Sequence, residues 1–399
     1  MSRRAAATLL PILAGGCAAA AWFLWPRSVP PLDMPPLDPR TYFSAEQLRA
    51  AASYSRFERL DWLLTTVAEL GALAWYARNG PRWARESAAG RMGTGMLLGM
   101  LGFALVWAVQ LPFSVAELWW ERKHDLTRVG YLDVVFGNWL ALGGAFTFLC
   151  LALAIVMGFA RKLGDLWWLP AAPVFAGLVT LFAFVNPWLL ATHPLRNDKL
   201  RAAATRLEKI EGVPRTPIVV EPVRDITRLP NAEATGFGPS RRVVLWDTLL
   251  DGRFTDREVT VVIAHEIGHL NHDDIWRSVG WYTLFAFPGT FLIAQITRRR
   301  GGMAQPQAVP LSLLALVGLS VLAQPVDNVI GRRIEMAADW AALDATKDPA
   351  GATQLFRRFV PTTLSQPDPP TWDYVMLEGH PTIMQRLAMV KAWRARYGR

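Results

Sequence analysis

Apolar runs of about twenty residues recur along this chain, and they limit its fold more than any other feature. Such a run matches the hydrocarbon thickness of a bilayer, where only a helix satisfies its own backbone groups. Seven runs fit: about Ala5–Trp25, Leu60–Ala77, Met96–Ala116, Trp139–Ala160, Leu166–Leu190, Ser278–Ile296 and Val309–Pro325. Composition agrees: 52% of the 399 residues are hydrophobic, 18 are Trp and only 19% are charged. Many of the Trp sit at run ends, as interfacial anchors do. The net charge of +9 does not argue for nucleic acid, because the cations gather in short loops between apolar runs. The expectation is a mainly α, multi-pass membrane protein with seven transmembrane helices.

The polar segments carry the chemistry. From Ala191 to Arg277 the chain reads as globular, with a helix over Asp198–Ile210 and strands over Pro217–Val223 and Arg241–Leu250. Thr255-Asp256-Arg257-Glu258 forms a capping box, which predicts a helix from about Asp256 through His272. Inside it stands His265-Glu266-Ile267-Gly268-His269, an H-E-x-x-H motif. Residues four apart share one helix face, so His265 and His269 can hold one metal ion, Zn²⁺ by their chemistry. Glu266 then lies beside the open coordination position, as a general base able to take a proton from water. With only six histidines in the chain, a chance match is improbable.

A third ligand is needed, and Cys17 and Cys150 both lie in apolar runs, which leaves the carboxylates. Glu335 and Asp339, four apart on a helix that leaves the last run directly, answer the need. Alone, that spacing is an ordinary solvated face. After an H-E-x-x-H, and on an Ala-rich turn, it indicates a metal site, with Glu335 as ligand and Asp339 orienting a ligand imidazole.

The remaining stretches read as connections. Pro26–Pro39 is a linker, Ser44–Arg59 an amphipathic helix, Trp119–His124 a polar loop and Ile383–Arg396 a basic helix. The first run reads as a retained span, although Leu13–Cys17 has some features of a lipoprotein cleavage site. Glu69, inside the second run, either packs within the bundle or lines a wet cavity.

With these pieces in place, the chain resembles the integral-membrane gluzincin metallopeptidases typified by the type I CAAX prenyl proteases. Asn231-Ala232-Glu233-Ala234-Thr235-Gly236 matches that family's N-A-x-x-x-G edge-strand motif, and His380-Pro381 followed by Arg386 matches its C-terminal signature. Leu111–Ser114, Glu121-Arg122 and Tyr54–Arg56 are similar to its membrane half. The resemblance implies a gluzincin-type α+β zinc protease domain split around the last two spans. The segments are 1–190 (five spans), 191–277 (H-E-x-x-H), 278–326 (two spans) and 327–399 (third ligand and His-Pro motif). It implies one Zn²⁺ per chain on His265, His269 and Glu335, with Glu266 as general base. Asn231, Ala232 and Gly236 would belong to an edge strand that pairs with the substrate backbone. His380 and Arg386 would stabilise an oxyanion or orient the site. His380 also reads as a residue before a helix whose first position is Pro381, and Arg386 as a surface charge. A hydrated chamber follows from the resemblance, and Glu69 and Gln110 would suit its lining. The chain departs from the pattern at Glu233 and Thr235, where the family carries aromatic residues. His272 reads as a surface residue, not a further ligand.

The expected function is hydrolysis of peptide bonds in membrane-associated, lipidated or unfolded proteins, at a cell membrane, by composition a bacterial inner membrane. The alternative is a chamber-forming lipid or peptide binding or transport protein with a structural metal. Arg3-Arg4, Arg78–Arg91, Arg161-Lys162 and Arg298–Arg300 fall on one side if the spans alternate. The positive-inside rule makes that side cytoplasmic and puts the metal motif on the outer face; the family resemblance implies a cytosolic one.

Overall fold

The structure, a computed structural model, describes residues 15–85 and 89–398. Its helices are α1 (Gly15–Leu24), α2 (Ala45–Asn79), α3 (Gly90–Lys123), α4 (Tyr131–Leu163), α5 (Trp168–Leu189) and α6 (Asp198–Glu211). They continue as α7 (Asp256–Asn271), α8 (Asp274–Thr297), α9 (Val309–Thr346), α10 (Pro349–Thr363), α11 (Thr371–Met376) and α12 (Ile383–Tyr397). Among the described residues, five helices are long and apolar enough to cross a membrane: α3, α4, α5, α8 and α9. The chain is thus a multi-pass membrane protein with a mainly helical fold.

Two of the seven expected runs differ from expectation. About half of the first lies outside the described residues, and the part seen is the short apolar helix α1. The second is the C-terminal half of α2, which joins it to the Ser44–Arg59 segment in one continuous helix capped by Ser44 and Gln47. At 1.5 Å per residue its 35 residues span roughly 52 Å, and with Asp61 and Glu69 inside the run it falls outside the apolar set. Trp119–Lys123 is likewise no loop but the last turn of α3.

α3 meets its neighbours through Gly95, Gly99 and Gly102, which abut Met157, Leu153 and Tyr76. Small residues at that spacing let helices approach closely where no hydrophobic effect drives them together. Arg298 pairs with Asp165 at 3.0 Å, and Arg300 donates to the Ala77 carbonyl. The basic loops after α2, α4 and α8 therefore gather at one end of the bundle.

At the other end sits a second core. α6, α7, α10, α12 and the last turns of α9 enclose Ile263, Ile267, Leu343 and Trp393, all almost fully buried. A sheet of β1 (His193–Pro194), β2 (Ile218–Glu221), β3 (Ala232–Thr235) and β4 (Arg242–Trp246) closes one side. Its order is β1-β2-β4-β3, with β2 parallel to β4 and β3 antiparallel to β4. β3 is therefore an edge. The Pro26–Pro39 stretch is more than a linker: Val29 is buried in this core, and Leu32, Met34 and Leu37 pack on it. The α8 axis joins the two ends. Its 24 residues make about 36 Å, from Asp274 at the second core to Arg298 at the basic loops.

Candidate active site

α7 is set by its own sequence. Thr255 Oγ1 accepts from the Glu258 amide at 3.3 Å, while Glu258 Oε2 accepts from the Thr255 amide at 2.8 Å. Val259, Ile263 and Ile267, spaced four apart, bury one face, His265 and His269 project from another side of the helix, and Glu266, also buried, lies between the two. Close approach of α9 supplies the rest. Gly268 lies against Ala338 and Ala341, where a β-carbon on the glycine would stand 3.0 Å from that of Ala341. Small side chains at this crossing let Glu335 and Asp339 reach the histidines.

The ring nitrogens His265 Nε2 and His269 Nε2 are 3.1 Å apart. Glu335 carboxylate oxygens stand 3.2 Å from the first and 3.6 Å from the second. One donor atom from each residue falls within 4.8 Å of the other two. The outer nitrogens are held as well: His265 Nδ1 faces Asp339 Oδ1 at 2.9 Å, and His269 Nδ1 faces Asp274 Oδ2 at 2.9 Å. Asp339, expected from sequence to orient a ligand imidazole, is the residue that meets His265. Asp274 was not foreseen in that role. Asp273 in a left-handed conformation (φ 54°) breaks α7 from α8 and folds Asp274 back onto His269; the only signal was the acidic run after the motif.

These contacts test whether the residues suit a cation. Burial alone would lower the His265 pKa, but hydrogen bonds and charge from Asp339 and Glu335 overcome it and raise it to about 10. His269 is also raised, against burial, by Asp274 and Glu335. The pocket thus favours positive charge where the three donors converge, and a hard or borderline divalent cation fits the nitrogen and oxygen set.

The site opens into a cavity of about 480 Å³ lined by Asn231–Ala234, Glu266, Phe356, Phe359 and His380 among others. Glu266 is buried and lies in its wall. Asn231 and Ala232 line it along the free edge of β3. Gly236 does not; its φ of 72° turns the chain out of β3, where a β-carbon would strike the Ser240 carbonyl. His380 Nε2 is 3.5 Å from Glu335 and its side chain is 66% exposed. Pro381 is not the first residue of α12: Thr382 caps that helix, which begins at Ile383. Arg386 is not a surface charge, because only 13% of its side chain is exposed and it pairs with Asp339. His272 is half-buried and stands apart from the three-residue cluster. In the membrane half, Gln110 donates to Glu69 at 3.1 Å, and both line a second cavity of about 330 Å³.

Known proteins share this arrangement of chain. The model of peptidase family M48 matches residues 194–394, from the first strand through the last helix. The uncharacterized metalloprotease YhfN of Bacillus subtilis (strain 168) is 23% identical over 382 residues, 88% of this chain and 87% of that protein. A protease HtpX homolog of Acidiphilium cryptum (strain JF-5) is 30% identical over 184 residues, 41% of this chain and 63% of that protein. CAAX prenyl protease 1 of Saccharomyces cerevisiae is 35% identical over 111 residues, 28% of this chain and 23% of that protein. The crystal structure of S. mikatae Ste24p shares the fold, with a TM-score of 0.74 at 20% identity, covering 95% of this chain and 96% of that one. The family implies a bound metal, typically zinc, and peptide or protein substrates. Because the matched region takes in both halves of the site, on either side of α8, the chain belongs to peptidase family M48 and is a membrane metalloprotease.

Proposed function

We propose that this chain is a zinc metalloendopeptidase that cleaves membrane-associated or unfolded proteins, with one zinc ion held by His265, His269 and Glu335. The observation that carries the reading is the convergence of those three donors beside Glu266 and beneath a free strand edge. A zinc ion held there would supply a Lewis acid that acidifies a water and polarises the scissile carbonyl. The chain's own groups do the rest. A substrate segment in extended form adds to β3 along Asn231 and Ala232 through main-chain hydrogen bonds, with the Gly236 turn ending the pairing. Glu266 accepts the proton of the attacking water and delivers it to the leaving amine. His380, exposed on the cavity wall, donates to the developing oxyanion. Arg386 acts at one remove, through Asp339.

The reading extends to the architecture. Seven spans follow if α2 and the first apolar run cross beside the five apolar helices. The proposed units are 1–190, 191–277, 278–326 and 327–399, the second and fourth forming one catalytic unit around the last two spans. The basic loops lie at the end remote from the metal cluster, which supports an outer-face site in a bacterial inner membrane. Digestion of the C-terminal tail by an impermeant protease in spheroplasts reads this orientation; a protected tail sinks it.

The decisive experiment uses purified protein in detergent. Metal content is measured, and cleavage of an unfolded protein and of a farnesylated CAAX peptide is compared for the wild type and Glu266→Gln. Expected are about one zinc per chain in both and chelator-sensitive cleavage in the wild type alone. A Glu266→Gln protein as active as the wild type would remove Glu266 from its role. Zinc without cleavage of anything would favour a lipid or peptide carrier with a structural metal.

A further inference from the structure

β3 is short, and its free edge borders the cavity beside the metal cluster. Its side chains alternate. Ala232 packs against the core that contains α7, and it pairs with Leu245, while Ala234 pairs with Val243; both partners are core residues. Glu233 pairs with Val244 and therefore points to the opposite face of the sheet. On that face, one strand further in, Val219 is in register with Val244, and Glu221 projects the same way two residues on.

Glu233 is accessible and lines the cavity, and its carboxylate makes no hydrogen bond or ion pair with any described residue. The surrounding walls still desolvate it. Its carboxyl is pushed up from the ordinary value first by that desolvation and then by the negative charges of Glu221 and Glu266; no cation is among the influences. The basic side chains on the cavity wall do not serve it: Arg386 is taken by Asp339, and His380 faces Glu335. The site thus holds one carboxylate that no function so far described uses, on the strand edge where a substrate would dock.

A strand added to an edge places a residue of the new strand directly opposite each edge residue, with side chains on the same face and β-carbons about 4.5–5.5 Å apart. Opposite charges at such a position are favourable and like charges unfavourable. We propose that Glu233 is a specificity-determining residue that selects substrates carrying lysine or arginine at the one position paired opposite it. This rests on the reading of β3 as the substrate-docking edge. The selected chemistry is a basic side chain within an extended segment, and the positions on either side, facing the other side of the sheet, carry no such demand.

The test walks a single lysine, one position at a time, through an otherwise uncharged extended peptide whose scissile bond is located by mass spectrometry. Expected is a peak of kcat/KM at one position, about five-fold above its immediate neighbours, the factor that corresponds to roughly 1 kcal/mol. Glutamate at the same position should lower kcat/KM. Glu233→Gln should flatten the profile, and Glu233→Lys should invert it toward glutamate. A flat lysine profile for the wild-type protein, or one that survives Glu233→Gln unchanged, overturns the assignment. Peptide affinity is measured in parallel on the Glu266→Gln protein by fluorescence anisotropy. If no peptide is cleaved but this protein still prefers lysine at one position, the hydrolase reading fails and the Glu233 assignment stands. If binding is also indifferent to the lysine, the Glu233 assignment fails.

Discussion

Arg386 and Asp339 form a two-pronged ion pair, Nε to Oδ2 at 2.8 Å and Nη2 to Oδ1 at 2.5 Å, and the same Oδ1 faces His265 Nδ1 at 2.9 Å. The carboxylate is 3% exposed, so the arginine both neutralises it and fixes its plane. With Nδ1–H donated to that oxygen, Nε2 is the nitrogen left facing Glu335 and His269, and it would offer its lone pair to a bound metal. Replacing Arg386 by Ala strands a buried charge and frees the imidazole. The expected result is a metal affinity lower by about 10–100-fold together with a lower melting temperature in detergent. Arg386→Lys should recover only part of this, since an ammonium cannot reproduce the fork. Competition against a chelator of known affinity reads the first quantity, and undiminished affinity in Arg386→Ala would contradict the linkage.

Asp274 does for His269 what Asp339 does for His265, but from a neighbouring helix start. Asp274→Asn keeps the size and loses the acceptor charge. We expect metal affinity to fall about 10-fold or more, with the helical fold retained by circular dichroism. Equal affinity would mean that the 2.9 Å contact does not orient the ring.

His380 touches the cluster only through Glu335 and is otherwise open to the cavity. If it donates to the oxyanion, His380→Ala should lower kcat by about 100-fold with KM and metal content little changed. A rise in KM at constant kcat would instead make it a substrate-binding group.

Glu258 links the α7 cap to α10 through Arg358, at 2.7 Å. Burial would raise its pKa, yet the contacts with Arg358 and Thr255 prevail and hold the carboxyl below its ordinary value of 4.5. The folded-state value being the lower, the stabilisation is fully present above the ordinary value and is lost as pH falls through the folded-state one. Glu258→Gln should therefore cost about 2 kcal/mol at neutral pH and make unfolding less steeply dependent on acid. Parallel acid-unfolding curves for the two proteins would show that the pair is not coupled to the fold.

Much of the site was legible in the residues. The H-E-x-x-H spacing, the capping box before it and the Glu335–Asp339 spacing are local facts of a 3.6-residue helix, and the structure places each as that periodicity requires. Arg386 was ambiguous because charge on a basic helix carries no address; only the packing of α12 against α9 shows that it meets Asp339. Asp274 escaped because its approach to His269 depends on one left-handed residue, Asp273. The run Leu60–Ala77 was separated from the helix before it because hydropathy changes there, although nothing in the sequence ends the helix.

By itself, then, the sequence determined the helices, five apolar spans of the bundle and the candidate metal donors, because periodicity, run length and ligand spacing act within one or two helical turns. Only the tertiary structure decided which carboxylate holds which imidazole, that β3 ends as an edge, and that Glu233 faces the cavity unpaired. Those facts rest on contacts between segments tens of residues apart, set by close helix packing at Gly268 and by strand order, which no local pattern encodes.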